Sequence, residues 1–148
     1  MDNITMKVKK LDPQAMLPRY GTEHAACFDL HALLSEGGLL LQPGHTALIR
    51  TGLSFEIPVC WTMEIYSRSG HGFKNGVRLA NCVGIIDADY RGEVMVKLVN
   101  EGTEPLPILH GDRIAQAKLS QVPMVEFFEV EELSTTVRGE GGLGSTGR

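Results

Sequence analysis

Glycine and proline interrupt this chain too often for long helices. Its 148 residues include 17 glycines and 7 prolines. No uninterrupted window of about 11 residues carries apolar side chains at the i, i+3, i+4 spacing of a buried helix face. Short apolar or alternating runs recur instead, with turn signals roughly every 8–12 residues. The pattern predicts an all-β domain, either a sandwich or a barrel.

Alternation is clearest between residues 61 and 68. Its two faces are Trp61, Met63, Ile65 and Ser67 on one side and Thr62, Glu64, Tyr66 and Arg68 on the other. The next stretch, SGHGFKNG (69–76), carries three glycines. We expect it to be a loop or at most a helical turn.

Composition narrows the class of protein. A chain of this length with 43% apolar residues has material for one globular domain with a real core. The net charge of −4 argues against general nucleic-acid binding. No apolar run approaches the ~18 residues that span a bilayer, and the N-terminus lacks the features of a signal peptide. The three widely spaced cysteines fit reduced thiols in a cytoplasm, and the scattered histidines argue against a structural zinc site.

The segment GIIDADYRGE (84–93) is the strongest candidate for chemistry. An apolar run leads into it and an alternating run leads out, which predicts a strand, a tight acidic turn and a second strand. The carboxylates of Asp87 and Asp89 could position a water, hold a metal or do neither. Asp also favours turns through its own backbone hydrogen bonds, so the turn alone leaves these alternatives open.

Two further motifs offer polar groups at strand ends. Arg68-Ser69-Gly70 combines a guanidinium, a hydroxyl and a glycine-flanked amide, as in a phosphate-binding corner, although a surface loop is the simpler reading. In GDRIAQ (111–116), alternation would place Ile114 and Gln116 opposite Arg113 and Ala115. Gln116 could offer its amide to a ligand. A salt bridge between Asp112 and Arg113 would fix the turn.

Two more candidates are a carboxylate and the C-terminal tail. Asp29 lies inside an apolar strand and needs a partner, either a structural hydrogen bond or the water shell of a metal, and we favour the structural role. The tail, Ser134 to Arg148, loses its apolar content and contains RGEGGLGSTG. Its glycines, hydroxyls and arginine suit the wrapping of a phosphate, although a disordered tail is the simpler reading.

Taken together, five motifs resemble those of the homotrimeric dUTP pyrophosphatases (dUTPases). They are AACFDLHA, SRSG, NCVGIIDADYRGE, GDRIAQ and RGEGGLGSTG, in that order. The resemblance runs from about Met6 to Arg148. It implies a jelly-roll-type β-barrel (residues 1–133) followed by a flexible tail (134–148) that closes over the active site. It also implies a homotrimer whose active sites draw on more than one chain.

The resemblance implies hydrolysis of dUTP to dUMP and pyrophosphate, which keeps uracil out of DNA and supplies dUMP for thymidylate synthesis. Asp87 would hold and deprotonate the water that attacks the α-phosphorus. Mg²⁺ would be held mainly by the triphosphate, with Asp29 reached through water at most. The implied substrate-binding residues are Arg68, Ser69, Gly70, Asn81, Gly84, Tyr90, Gln116, Arg138, Leu143, Gly144, Ser145 and Thr146.

Within that set the resemblance distributes the roles. Asn81 and the backbone from Cys82 to Ile86 would read the uracil edge, and Tyr90 would pack under the deoxyribose and disfavour a 2′-hydroxyl. Arg68, Ser69 and Gln116 would bind the phosphates, and Arg138, Ser145 and Thr146 would close over the γ-phosphate. Asp89 would shape the turn.

Three positions depart from the family pattern. Leu143 stands where a phenylalanine usually stacks on the uracil, which would cost ~1 kcal/mol of stacking and predicts weaker closure rather than inactivity. Ser67 replaces a common proline and Cys27 a common glycine. These two changes affect the stiffness of the backbone more than the chemistry.

Three rival functions were weighed against this one. A dCTP deaminase has a glutamate in the strand after the acidic turn, where this chain has Lys97, which argues against a deaminase and against a bifunctional enzyme. A regulatory module that keeps the fold without the chemistry would not need to keep the base Asp87. A structural jelly roll would explain the strands but not the five motifs.

Overall fold

Short β-strands make up most of the regular structure of this chain. A computed structural model describes residues 4–143 and 145, and those residues form twelve strands and one helix. The elements are β1 (Lys7–Lys10), β2 (Arg19–Tyr20), β3 (Phe28–His31), β4 (Leu39–Leu41), β5 (Thr46–Arg50), β6 (Leu53–Glu56), β7 (Trp61–Tyr66), α1 (Ser69–Asn75), β8 (Val77–Leu79), β9 (Gly84–Ile86), β10 (Met95–Asn100), β11 (Leu106–Ile108) and β12 (Arg113–Gln121). The all-β prediction is confirmed.

The strands pair in four antiparallel sheets. The largest has the order β2-β3-β12-β7-β9, and a three-stranded sheet has the order β5-β10-β8. The pairs β1-β6 and β11-β4 complete the set. Neighbours in these sheets are mostly distant in sequence, so the order of the motifs along the chain does not by itself say which of them meet.

The apolar core lies behind the five-stranded sheet and is shared by all four sheets. Met63 and Ile65 of β7 are buried in it, as their alternation predicts. Full burial of such side chains stabilises the fold by roughly 1.5–3 kcal/mol each. The opposite face of the same sheet carries Glu64, Tyr66 and Gln116, and it is this face that offers polar groups to a ligand.

The acidic segment is a strand, a tight turn and a second strand, as predicted, but the two strands lie in different sheets and do not pair with each other. Strand β9, which precedes the turn, pairs with β7, whereas β10, which follows it, pairs with β5 and β8. The turn is tight, with the amide of Tyr90 donating to the carbonyl oxygen of Asp87 at 3.2 Å. Alternation predicts that each run is a strand but carries no information on its partner.

The glycine-rich stretch after β7 is a helix of seven residues rather than a loop or a single turn. Helix α1 ends at Asn75 and is capped by Gly76, whose φ of 66° lies in the left-handed region that glycine adopts without strain. The Gly76 amide donates to the carbonyl oxygens of Gly72 and His71. A C-terminal glycine cap therefore compensates for the poor helix propensity of the glycines inside.

The chain after β12 makes little contact with the strands. Within residues 123–143 and 145, the hydrogen bonds found are local ones. The segment from Pro123 to Leu133 forms neither a helix nor a strand. Among the residues that the structure describes, no helix is long and apolar enough to cross a membrane.

Candidate active site

The acidic turn borders a cavity of about 380 Å³. Asn81, Ile85, Asp87, Tyr90 and Lys97 are among its lining residues. Asp87 also borders a second depression of about 640 Å³. Asp89 lines this second depression but does not line the first cavity. Of the two carboxylates in the turn, only Asp87 therefore faces the cavity that holds Asn81 and Tyr90.

Hydrogen bonds hold the turn that carries Asp87. The hydroxyl of Thr62 donates to the carbonyl oxygen of Ile86 at 2.8 Å, and the guanidinium of Arg91 donates to the carbonyl oxygen of Ala88 at 2.7 Å. The Tyr90 hydroxyl donates to the Glu93 carbonyl oxygen at 3.1 Å. The ring of Tyr90 is thus fixed against the backbone that follows the turn.

Gly84 marks a close approach between the turn and the sheet. A Cβ at this position would lie 3.2 Å from the Cβ of Ile65 and 3.5 Å from Nδ2 of Asn81. Glycine at this point lets β9 lie against β7 without displacing the Asn81 amide. Cys82, two residues before Gly84, has a φ of 61°, so the segment between Asn81 and Gly84 bends sharply.

A second polar group lies at the end of β7 that leads into α1. Nε of Arg68 donates to Oδ1 of Asp29 at 2.9 Å, and a guanidinium nitrogen of Arg113 lies 3.4 Å from Oδ2 of the same carboxylate. Nε2 of Gln116 donates to the carbonyl oxygen of Ser67 at 2.9 Å. Asp29 therefore has the partner that its burial demands, and two arginines share it.

Two expectations for the GDRIAQ motif are wrong. Asp112 accepts a hydrogen bond from the Leu109 amide at 2.7 Å, and the ion-pair partner of Arg113 is Asp29. Ile114 and Ala115 are both buried, because the register of β12 against β3 shifts between Arg113 and Ala115. A β-bulge of this kind interrupts strict alternation and brings Arg113 and Gln116 toward the same carboxylate.

His31 is a buried member of this group that the sequence analysis did not single out. Its side chain lies on β3 opposite Arg113, and its Nδ1 has no hydrogen-bond partner among the described residues. Burial lowers the pKa of the imidazole, Asp29 opposes that shift, and Arg19, Arg113 and Arg68 add to it. The alternation that places Asp29 on this face also places His31 there, two residues later.

The two polar groups lie at opposite ends of β7. Ile86 pairs with Met63, so Asp87 lies beside Thr62, whereas Arg68 follows the other end of the strand. Six residues of extended chain separate positions 62 and 68, which corresponds to about 20 Å. One chain therefore does not bring the Asp87 carboxylate and Arg68 together.

The tail residues stand apart from both groups. Arg138 donates from Nε to the carbonyl oxygen of Gly141 at 2.8 Å, and Leu143 and Ser145 are exposed. The other two tail residues expected in the site, Gly144 and Thr146, lie outside the described residues. Of the remaining expected residues, Ser69 and Gly70 begin α1 and are exposed.

No cluster of three or more histidine, cysteine, aspartate or glutamate side chains within residues 4–143 and 145 has the arrangement of a metal site. The described acidic groups near the site are separate ones. Asp29 is engaged by two arginines, and Glu93 accepts from Arg50 and from the Gly52 amide. A divalent ion would need most of its ligands from a bound molecule.

Comparison with known proteins gives matches over nearly the whole chain. The family model described as dUTPase matches residues 13–147. The deoxyuridine 5'-triphosphate nucleotidohydrolase of Nautilia profundicola is 47% identical over 143 residues, which is 97% of this chain and 99% of that protein. The enzyme of the same name from Helicobacter hepaticus is 45% identical over 147 residues, covering 99% of this chain and 91% of that protein.

The fold has close counterparts among solved structures. The dUTPase of Staphylococcus bacteriophage 80alpha, solved with dUPNHPP, superposes with a TM-score of 0.84 at 26% identity. That superposition covers 99% of this chain and 100% of the phage protein.

Proposed function

Since this chain belongs to the dUTPase family and hydrolyses dUTP, we propose that Asp87 is the base that activates the attacking water. The supporting observation is the position of its carboxylate, which borders the same cavity as Asn81 and Tyr90. The water would lose a proton to Asp87 as its oxygen bonds to the α-phosphorus. The bond from that phosphorus to the bridging oxygen would break, releasing pyrophosphate and leaving dUMP.

The cavity beside Asp87 would bind the nucleoside. Asn81 and the backbone from Cys82 to Ile86, including the closely packed Gly84, would hydrogen-bond the uracil edge. Such a site rejects cytosine because cytosine presents the reverse pattern of hydrogen-bond donors and acceptors. Buried polar groups of the protein would then be left unpaired. The Tyr90 ring, fixed by its hydrogen bond to Glu93, would pack under the deoxyribose.

The group at the other end of β7 would bind the phosphates of a substrate held by a neighbouring copy. Arg68, Ser69, Gly70 and Gln116 supply a guanidinium, a hydroxyl, a backbone amide and a side-chain amide within one short stretch of surface. Arginine suits this role because its fork of donors matches phosphate oxygens. Asp29 holds Arg68 by its Nε, and one terminal nitrogen of the guanidinium donates to the Arg113 carbonyl oxygen at 3.4 Å. Among the described residues the second terminal nitrogen has no partner, which leaves it for a ligand.

We assign a divalent ion, Mg²⁺, to the bound triphosphate rather than to a resident protein site. The ion would neutralise charge on the phosphate oxygens, and the pairing of Asp29 with two arginines favours contact through water at most. Arg138, Leu143, Gly144, Ser145 and Thr146 would close over the nucleotide as part of a flexible tail, residues 134–148, attached to the strand domain of residues 1–133.

The active form would be a homotrimer with sites shared between chains. Two observations support this proposal. Asp87 and Arg68 of one chain lie at opposite ends of β7, about 20 Å apart along the strand, which exceeds the reach of one triphosphate. The segment after β12 also exposes large apolar side chains, including Met124, Phe127 and Phe128, as expected for a surface that another copy covers.

Replacement of Asp87 by Asn tests the role of the base. We expect turnover of dUTP to fall by about 10²–10⁴-fold, because general base catalysis contributes an effect of that size. Binding of a non-hydrolysable dUTP analogue should survive, because the cavity walls are unchanged. Pyrophosphate release and titration calorimetry measure the two quantities.

Asp89→Asn is the matched control, because Asp89 belongs to the same turn but does not line the cavity with Asn81 and Tyr90. Its turnover should stay within a few-fold of the original chain. Near-normal activity in the Asp87 variant would exclude that residue as the base. Assays with dUTP, dCTP, dTTP and UTP, with Mg²⁺ and with a chelator, should give rapid release from dUTP alone and only with the ion.

A further inference from the structure

Lys97 is a cation that lines the cavity proposed to bind the nucleoside. It lies on β10, where Val96 and Leu98 point into the core and Met95 and Lys97 point outward. Its side chain lines the cavity together with Asn81, Asp87 and Tyr90.

The charges around the cavity leave the ammonium of Lys97 available to a ligand. Glu93, which also lines the cavity, is held by the guanidinium of Arg50 at 3.1 Å and by the Gly52 amide at 2.8 Å. Among the described residues, no carboxylate lies within ion-pair distance of Lys97 and no hydrogen bond to its side chain is formed. Its partner on the facing strand β5 is the apolar and exposed Leu48.

Backbone hydrogen bonds show which end of the cavity Lys97 lies at. The amide of Ala80, the residue before Asn81, donates to the carbonyl oxygen of Lys97 at 2.8 Å. Tyr90 instead bonds to the backbone of Glu93. Four residues of strand between positions 93 and 97 correspond to about 13 Å. Lys97 therefore lies near Asn81, and Tyr90 lies at the other end of the cavity.

We propose that Lys97 reads the base of the nucleotide by donating a hydrogen bond to a carbonyl oxygen on the uracil edge. This inference rests on the proposed function, because it takes the base to lie beside Asn81. An ammonium has three donors and no acceptor. It therefore favours the oxygen that uracil and thymine carry at position 4 and disfavours the amino donor that cytosine carries there. Lys97 would then contribute to the choice of dUTP over dCTP, beside the backbone contacts.

The test compares dUTP with dCTP in the full-length chain with Mg²⁺. Lys97→Met keeps the length and apolar stem of the side chain but removes the donor. The ratio of kcat/KM for dUTP to that for dCTP should fall by about 10- to 100-fold, as expected for the loss of a hydrogen bond to a charged group. Lys97→Arg keeps a donor and should retain most of the ratio.

Lys9→Met is the matched control, because Lys9 is an exposed strand lysine that lines neither cavity beside Asp87. Where turnover of dCTP is below detection, inhibition of dUTP hydrolysis by dUMP and by dCMP gives a ratio of inhibition constants, which should fall in the Lys97→Met variant as well. A fall in kcat/KM that is equal for both bases, or no change at all, would overturn the role of Lys97. Absence of dUTP hydrolysis by the unaltered chain would instead contradict the proposed function, so the two failures are distinguishable.

Discussion

At the scale of single residues, Tyr90 depends on the absence of a side chain at Gly92. A Cβ at position 92 would lie 3.0 Å from Cε2 of the ring and closer still to the hydroxyl end. Because the obstacle is the end of a side chain, Gly92→Ala should shift the ring while leaving the fold in place. We expect kcat/KM for dUTP to fall by about 10- to 100-fold, since displacements near 1 Å have effects of that order.

Steady-state kinetics and thermal unfolding measure the two consequences of Gly92→Ala. Gly72→Ala serves as its control, because a Cβ at that helical position meets no atom within 4 Å. The control should have ordinary activity and equal or slightly raised stability. A Gly92 variant with unchanged kinetics would mean that the Tyr90 ring does not contact the substrate.

The buried His31 should make the fold less stable as the pH becomes acidic. Burial lowers the pKa of its imidazole from the usual 6.5, Asp29 opposes the shift, and Arg19, Arg113 and Arg68 add to it. The unfolded chain therefore binds the proton first as pH falls. The contribution of neutral His31 is complete above about pH 6.5 and is lost as pH falls from there toward the lower folded pKa.

Replacement of His31 by Gln should reduce that acid-side loss. The measurement is the free energy of unfolding by denaturant between about pH 7.5 and 5, with the slope against pH as the result. His24→Gln should leave the slope unchanged, because His24 is exposed in a loop. If the slope of the His31 variant equals that of the original chain, protonation of another group causes the acid sensitivity.

At the scale of elements, the tail behaves as a separate segment. Residues 123–143 and 145 form only local hydrogen bonds within the described part of the chain. Deletion of residues 134–148 should therefore leave the unfolding temperature and the association state nearly unchanged. Most of the activity should be lost, because Arg138 and the hydroxyls that would close over the phosphates go with the tail.

Circular dichroism melting and pyrophosphate release compare the shortened chain with the full one. A matched variant that keeps the tail, Arg138→Ala, should lose part of the activity, which separates the contribution of that guanidinium from closure by the whole segment. Full activity after deletion would mean that the tail has no part in catalysis.

The same scale shows what the sequence can and cannot predict. Alternation in residues 61–68 identified β7 and its buried face correctly, because Met63 and Ile65 must leave water. The apolar sequence around Asp29 also predicted that this carboxylate needs a partner. It did not reveal that Arg113 supplies one, because the register shift in β12 depends on packing against β3. The pairing partner of a strand, such as β7 for β9, is chosen by the whole core and by no local pattern.

At the scale of the whole molecule, the exposed apolar side chains are the feature that a single chain leaves unexplained. Met124, Phe127 and Phe128 are 88%, 92% and 85% exposed. A row of such residues on a solvated surface favours association. Together with the separation of Asp87 from Arg68, it supports an assembly in which each copy completes the site of another.

Mixing two inactive variants tests that arrangement directly. Asp87→Asn and Arg68→Ala each remove one half of the site, and each should be nearly inactive alone. When the two are unfolded together and refolded, random trimers contain some sites that combine an intact Asp87 with an intact Arg68 from different copies. If each site draws these residues from two chains, about a quarter of the sites should be complete. Activity should rise to about that fraction of the original.

The control is a mixture of the same variants folded separately, in which activity should stay low until subunits exchange. Light scattering after size-exclusion chromatography should give a mass of three copies for the original chain and for the refolded mixture. No recovery of activity in refolded trimers would place Asp87 and Arg68 of one site in the same chain. A substrate would then have to bridge the length of β7, and the phosphate role of Arg68 would be wrong.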